Sequence, residues 1–315
     1  MQSRPGESRQ GLFYALGAYG IWGFILPIFM KQLANVSPVE VVAHRIVWAL
    51  PLAAAILLWQ GTFRQAMGHF RSLRTMALAA LTASLISVNW GTYIYAIGAG
   101  QTLDAALGYY INPLVNVALA AIFLGERPTR LQGVAITLAT IGVAVMTVKA
   151  GGLPWVSLVL AMSFGTYGLL RKMVPVGASE GFFLEVAILV VPSLLVVAIF
   201  VPQTHFLKEG TETALLIAAG PLTAVPLILY AAGARLLHYA TIGILQYIVP
   251  TLLFFTAVFL FGEPFSHWQL IAFAFIWTAL AIYTWSLVKG RRKQASDPVD
   301  TAEAAEARAA DGARR

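Results

Sequence analysis

The sequence predicts an all-α integral membrane protein in which ten transmembrane helices form two inverted five-helix repeats. Three observations carry the prediction. Apolar residues make up 59% of the 315 and charged residues only 11%, with a mean hydropathy of +0.76, whereas soluble chains run at roughly half apolar and a quarter charged. The apolar residues are gathered into runs long enough to span a bilayer. Finally, Tyr110-Ile111-Asn112-Pro113, closing on Gly125-Glu126, returns 137 residues later as Tyr247-Ile248-Val249-Pro250, closing on Gly262-Glu263.

An α-helix rises 1.5 Å per residue, so about 20 mostly apolar residues cross a hydrocarbon core of about 30 Å. Ten runs reach that length, at 11–34, 38–59, 75–99, 102–124, 130–149, 153–172, 180–201, 212–237, 241–261 and 267–288. The first follows a short segment, 1–10, carrying Arg4 and Arg9; it is too long for a signal-peptide core and is expected to remain as a span. Residues 11–149 then form the first repeat and 150–288 the second. From Gly290 the composition turns to Arg-Arg-Lys and then to Ala, Asp, Glu and Arg. Residues 289–315 therefore read as a disordered cytoplasmic tail.

Charge gives the orientation, because Lys and Arg collect on the cytoplasmic side of short membrane connections. Fourteen of them, from Arg4 and Arg9 through Arg127 and Arg130 to Lys293, fall at one set of helix ends, and three, Lys31, Lys149 and Lys208, at the other. Both termini are thereby placed in the cytoplasm. Five spans per half is an odd number, so the second half enters the bilayer from the opposite face. The first Gly-Glu is followed by Arg127 and Arg130, the second by Pro264, Phe265, Ser266 and His267 with no Lys or Arg. A weaker echo extends the repeat: Gly20, Trp22, Gly23 and Glu40 fall on Gly165, Tyr167, Gly168 and Glu185, and Tyr93 on Tyr230. Inverted repeats of this kind are the architecture of secondary transporters, which open to either side by exchanging the conformations of their halves.

Composition excludes several chemistries. With no cysteine, disulfides, thiolate nucleophiles and Cys-held metals are out. The five histidines, at 44, 69, 205, 238 and 267, fit no metal-ligand spacing, so no metal, cofactor or catalytic residue is expected. A phosphate-cradling Gly-rich loop ending in Lys-Ser/Thr is missing, so transport would draw on a gradient. The net charge of +7 is spread over short connections and not over a patch suited to nucleic acid.

Polar residues at membrane depth are costly, about 2.5 to 3.5 kcal/mol for a central Arg on the insertion scale, and are expected to face the bundle interior. On the second span Glu40, His44 and Trp48 share a face at i, i+4 spacing, with Arg45 about 100° round. His44 and Arg45 map onto Leu189 and Val190, so this polarity belongs to one half. On the fourth span Tyr109, Asn112 and Asn116 form a stripe beside Pro113, whose missing N–H frees a carbonyl. Pro250 repeats the kink with Gln246 and Tyr247 nearby, and the two prolines are candidate hinges. Asn89 and Tyr93 stand one turn apart on the third span, and Trp22 pairs with its mate Tyr167. The candidate solute-binding residues are thus Trp22, His44, Arg45, Asn89, Tyr93, Tyr109, Asn112, Tyr167, Gln246 and Tyr247. Helix locking by Arg45 and His44, repair of the broken ladder by Asn112 and plain aromatic packing are the competing structural readings. Glu40, His44 and Glu185 are the candidate proton carriers.

The Trp22-Gly23 pair, Glu40 with His44-Arg45, Gly108-Tyr-x-Ile-Asn-Pro-Leu-Val-Asn116, Phe123-Leu-Gly-Glu126 and Gln246-Tyr-Ile-x-Pro-Thr251 resemble the EamA family of the drug/metabolite transporter superfamily. The His-Arg pair and the Ile-Asn-Pro-Leu-Val-Asn run are similar to its RarD-type branch, whose members are described as chloramphenicol-sensitivity permeases. The resemblance covers about residues 11–288. It implies ten helices in two inverted repeats, a bacterial inner-membrane location and export of small organic molecules, as a monomer or homodimer in the lipid bilayer. The expected function is alternating-access transport, with or without proton coupling, and a gradient-equilibrating facilitator or an importer fits the same residues. An intramembrane enzyme using His44 and Glu40 as acid and base, or a receptor, is the rival class; it lacks a nucleophile and has no use for opposed halves.

Overall fold

In the computed structural model, the structure describes residues 9–123, 129–149, 154–173, 175–201, 203–237 and 245–295, and among them every element is helical. The chain runs α1 (Arg9–Gly20), a π-helical turn π1 (Ile21–Ile25), α2 (Leu26–Gln32), α3 (Pro38–Gln60), α4 (Phe63–His69), α5 (Leu73–Gly98), α6 (Thr102–Phe123), α7 (Arg130–Lys149), α8 (Trp155–Met173), α9 (Ala178–Phe200), α10 (Gly210–Leu236), α11 (Ile248–Phe255), π2 (Thr256–Leu260) and α12 (His267–Ala295). Seven stretches are long and apolar enough to cross a bilayer: Arg9–Gln32, Pro38–Gln60, Leu73–Gly98, Arg130–Val148, Ala178–Phe200, Gly210–Tyr230 and His267–Ser286. This is a multi-pass membrane protein. α6 and α8, with 22 and 19 residues, match the others in length.

Local chemistry sets the helix ends. Pro38 opens α3 at its first turn, where its missing N–H costs nothing. Gly61 closes α3 in the left-handed region at φ +71°, which L side chains rarely adopt. Two helices begin on the same device. Before α7, Thr129 accepts the Gln132 backbone N–H on Oγ1 at 3.3 Å while Gln132 Oε1 accepts the Thr129 N–H at 2.8 Å. Before α12, Ser266 and Gln269 do the same at 3.2 and 2.7 Å. Each pair is a capping box, which satisfies two orphan N–H groups of the first turn.

The interior is packed through small residues, as expected where lipid is no less apolar than the core. A Cβ at Gly108 of α6 would stand 2.8 Å from the Ser157 carbonyl oxygen of α8, and one at Gly23 of π1 2.9 Å from that of Val249 in α11. The outward faces carry large apolar side chains such as Trp59, Phe123, Phe200 and Trp285.

The helix limits depart from the sequence expectation in three places. α4 is an additional short helix, docked by Ala66 and by His69 Nε2 at 3.2 Å from Glu180 Oε2. Of the run at 241–261, the described part begins at Leu245 and is broken at Gln246–Tyr247. Pro250 explains that break: it offers no N–H to Gln246, whose carbonyl instead accepts from Val249 at 3.2 Å. α6, by contrast, is helical through Pro113, whose side chain lies outside the described set. Lastly, α12 runs on through Lys289 to Ala295, so the basic stretch Arg291–Lys293 continues the last helix and does not open the tail. Positive charge suits a helix C-terminus, and the first helix breaker comes only at Pro298. Residues 296–315 lie outside the described residues, as does Glu126.

Candidate solute-binding site

Arg45 lies seven residues into α3, about 10 Å along the helix at 1.5 Å per residue, and is only 3% exposed. Its Nε donates to Thr223 Oγ1 of α10 at 3.0 Å, and its guanidinium carbon sits 4.7 Å from the centre of the Trp90 ring of α5. Among the described residues it has no carboxylate partner, and its Nη1 is buried without a hydrogen-bond acceptor. Such a cation stacked on an aromatic face is partly compensated by the ring quadrupole. Tyr93, one turn beyond Asn89 on α5, is buried with its hydroxyl unpartnered. Its ring stands 6.1 Å from that of Tyr109 on α6.

Asn89 ties this group to the second half. Its Nδ2 donates to the Leu160 carbonyl and to Ser163 Oγ of α8, both at 3.0 Å, while its Oδ1 accepts from the Tyr109 hydroxyl at 3.3 Å. Asn112, three residues past Tyr109 on the same side of α6, is fully buried with both amide atoms unpartnered. It does not repair the ladder through its side chain in this structure. Arg45, Asn89, Tyr93 and Tyr109, predicted separately from four sequence positions, therefore form one cluster.

Two buried carboxylates, Glu40 of α3 and Glu185 of α9, are each held by partners from other segments. Glu40, wholly buried near the start of α3, accepts the backbone N–H groups of His205 and Phe206 on Oε1 at 2.7 and 3.1 Å, and its Oε2 is 3.2 Å from His205 Nδ1. His44 faces the same segment, with its ring 4.5 Å from that of Phe206 and its Nδ1 accepting from Trp48 Nε1 at 3.2 Å. Glu185, near the start of α9, accepts from Thr82 Oγ1 at 2.8 Å and from the Tyr167 hydroxyl at 3.1 Å, with Arg171 Nε at 3.6 Å. The rings of Tyr109, Phe164 and Tyr167 step between the Arg45 and Glu185 ends at 6.3 and 6.0 Å.

Of the remaining predicted residues, Trp22 borders the buried cluster that holds Tyr93 and that Tyr109 also packs against, and Gln246 and Tyr247 lie elsewhere. Trp22 packs with Tyr19 and Tyr230 at 6.1 and 5.8 Å between ring centres. Tyr247 lines an open apolar groove of about 650 Å³ between α6, α11 and α12, where Tyr110 and Thr251 share a hydrogen bond of 2.8 Å and Trp277 and Trp285 form the wall. Gln246 lies in the helix break just before that groove. No sequence signal marks Thr223, Ser163 or Thr82, which look like ordinary small residues until their distant partners arrive. Among the described residues no group of His, Asp or Glu is arranged to hold a metal ion.

Residues 9–148 match the EamA-like transporter family. An uncharacterised transporter of Pseudomonas aeruginosa is 43% identical over 90% of this chain and 96% of its own length. The protein RarD of Streptomyces exfoliatus is 40% identical over 91% and 92%, and RarD of Escherichia coli 38% identical over 91% and 98%. The chain belongs to the EamA family. Within it the chain is of the RarD type, as the His44-Arg45 pair and the Asn112-Pro113 block had indicated. A solved crystal structure superposes on this EamA protein with a TM-score of 0.57 at 20% identity, covering 89% of this chain and 99% of that one, and so shares its fold.

Proposed function

We propose that this EamA-family protein is a secondary transporter of a bacterial inner membrane that exports small organic solutes by alternating access, with both termini in the cytoplasm. The solute sits at the Arg45–Tyr93–Tyr109 cluster, Glu40 with the 205–206 segment forms the outer gate, and Glu185 with Thr82 and Tyr167 forms the inner gate. The observation that carries this reading is that the buried polar contacts join the two halves: Arg45 to Thr223, Asn89 to Ser163, Thr82 to Glu185 and Glu40 to His205. A rocking motion of one half against the other would break one gate while leaving the other intact.

Other features support a ten-helix inverted repeat. Exchanging the halves turns the packing of α1 on α10 into that of α8 on α5, and the packing of α3 on α10 into that of α9 on α5. The contact of α6 with α8 turns likewise into that of α11 with α1 and π1, while α7 on α12 and α3 on α9 map onto themselves. The capping boxes at Thr129 and Ser266 occupy matching positions. The family match at 9–148 falls on the first half. One relative, from Pseudomonas aeruginosa, is named a chloramphenicol-sensitive protein, which makes chloramphenicol the uncharged solute to compare with others.

Because the chain has no cysteine, the reading can be tested by cross-linking on a clean background. A Thr82→Cys/Glu185→Cys bridge is expected to leave a reporter at Tyr93→Cys open to an impermeant maleimide from the outside only. A Glu40→Cys/His205→Cys bridge should leave it open from the inside only. Reporter access that ignores both bridges would end the alternating-access reading.

A further inference from the structure

We propose that the Arg45 cluster selects organic anions, through an ion pair between Arg45 and a carboxylate or similar oxyanion of the solute. The inference rests on the reading that this cluster is the transport site, and it goes beyond that reading in naming the charge of the cargo. Arg keeps its charge in proteins. A buried guanidinium without a counter-charge is unfavourable, and removing a partner from a buried pair is among the costliest changes a protein can undergo.

Among the described residues no carboxylate supplies that partner. The buried ones, Glu40, Glu180, Glu185 and Glu263, are each engaged elsewhere. Asp104, Glu180 and Glu212 lie in first turns, and the rest fall in connections and the two end segments. Tyr93 and Tyr109 offer dipoles and not charge. The counter-ion is therefore sought in the solute.

The geometry points the same way. Stacking on Trp90 fixes the plane of the guanidinium, and the bond from Nε to Thr223 fixes its rotation. What remains is the Nη edge, where Nη1 is buried and unpartnered. The Tyr93 hydroxyl is a second buried donor without a partner, and its ring lies beside that of Tyr109. Two N–H bonds in the guanidinium plane are the geometry that a carboxylate accepts best. The Trp90, Tyr93 and Tyr109 rings suit an aromatic or apolar body behind that head group, and Asn112, with a free donor and a free acceptor, suits a further polar substituent. A cationic solute would meet Arg45 as a like charge. An anion leaving a cell whose interior is negative moves with the membrane potential, in keeping with export.

The test uses the full chain purified in detergent and then in proteoliposomes, with three probes of one shape: phenylacetate, phenylacetamide and phenethylammonium, each beside its aliphatic counterpart. Phenylacetate or its aliphatic counterpart is expected to raise the thermal midpoint and to bind at least about tenfold more tightly than the matched amide or amine. Arg45→Lys should weaken that binding by about tenfold, because an ammonium neither stacks nor forks as a guanidinium does. Arg45→Met should abolish it while leaving the ligand-free midpoint unchanged or higher, since an uncompensated buried charge is lost. Equal binding across the charge series, no binding of either anion, or a large fall in the ligand-free midpoint of Arg45→Met would each overturn the proposal. Counterflow of the bound probe reports on the transport reading separately. An anion that binds but does not exchange would remove the carrier and keep the ion pair, and exchange of the neutral or cationic probe would do the reverse.

Discussion

Glu263 holds the first turn of α6 at Thr102 with both oxygens of its carboxylate: Oε1 accepts the Thr102 N–H at 2.9 Å and Oε2 that of Leu103 at 3.0 Å. A buried acceptor pair at a helix N-terminus meets the orphan donors and the positive end of the helix dipole together. The turn that aims it depends on Gly262, at φ +63°, where π2 ends. Glu263→Ala is expected to lower stability by about 1–3 kcal/mol, the cost of leaving a buried donor unmet, with Glu263→Gln losing less because its amide oxygen still accepts one bond. Thermal unfolding in detergent measures this, and an unchanged midpoint for the alanine variant would show that the cap carries no stability.

Glu40 plays a comparable part for the segment after α9, which it draws over His44 through the N–H groups of His205 and Phe206. Replacing it by Ala strands two donors and should loosen that segment without unfolding the bundle. Labelling of Phe206→Cys by an impermeant maleimide is therefore predicted to run several-fold faster in the Glu40→Ala background, by the population shift that about 1 kcal/mol provides. Equal rates in the two backgrounds would show that Glu40 does not hold the segment down.

The helical architecture was legible because crossing a membrane demands long apolar runs, and the inner cluster because a polar side chain at that depth must have a reason to be there. Arg45, Asn89, Tyr93 and Tyr109 were found by that argument alone. Their partners were not. Thr223 is 178 residues from Arg45 and Thr82 is 103 from Glu185, and a threonine in an apolar helix usually bonds its own backbone, as Thr92, Thr137 and Thr278 do here. The break at Gln246–Tyr247 was foreshadowed by Pro250, whereas nothing in the sequence marks π1 or π2. Trp22 borders the buried cluster that holds Tyr93 and that Tyr109 also packs against, and it packs as well with Tyr19 and Tyr230, a second set of neighbours that ring chemistry alone does not announce.

On the proposed reading Glu185 is the candidate proton carrier: its carboxylate holds Thr82, Tyr167 and Arg171 together, and those contacts depend on its charge. Protonation would weaken its hold on Arg171 and free the gate. Glu185→Gln, which copies the protonated form, is expected to abolish uptake driven by a pH gradient in proteoliposomes while sparing counterflow, which needs no net proton movement. Gradient-driven uptake equal to that of the unaltered chain would remove Glu185 from the coupling path.

The capping boxes give the sharpest handle on orientation. Thr129 and Ser266 stand at corresponding positions of the two halves, each bonded to a glutamine three residues on, and both are exposed. The pattern of a Ser or Thr followed three residues later by Gln was present in the sequence as a helix-start signal. It was hidden only because the intervening residues differ, with Arg130 in one copy and His267 in the other. If the halves are inverted, the same device starts α7 from the cytoplasm and α12 from outside. Cells carrying Ser266→Cys should then react with an impermeant maleimide when intact, and cells carrying Thr129→Cys only after they are opened. The capping hydroxyl is lost in both variants alike, at about 0.5–2 kcal/mol each, so a difference in labelling reports the face and not the fold. Reaction of both sites from one face would require an even number of crossings between them, which five spans per half cannot give, and would end the inverted-repeat reading together with its two gates.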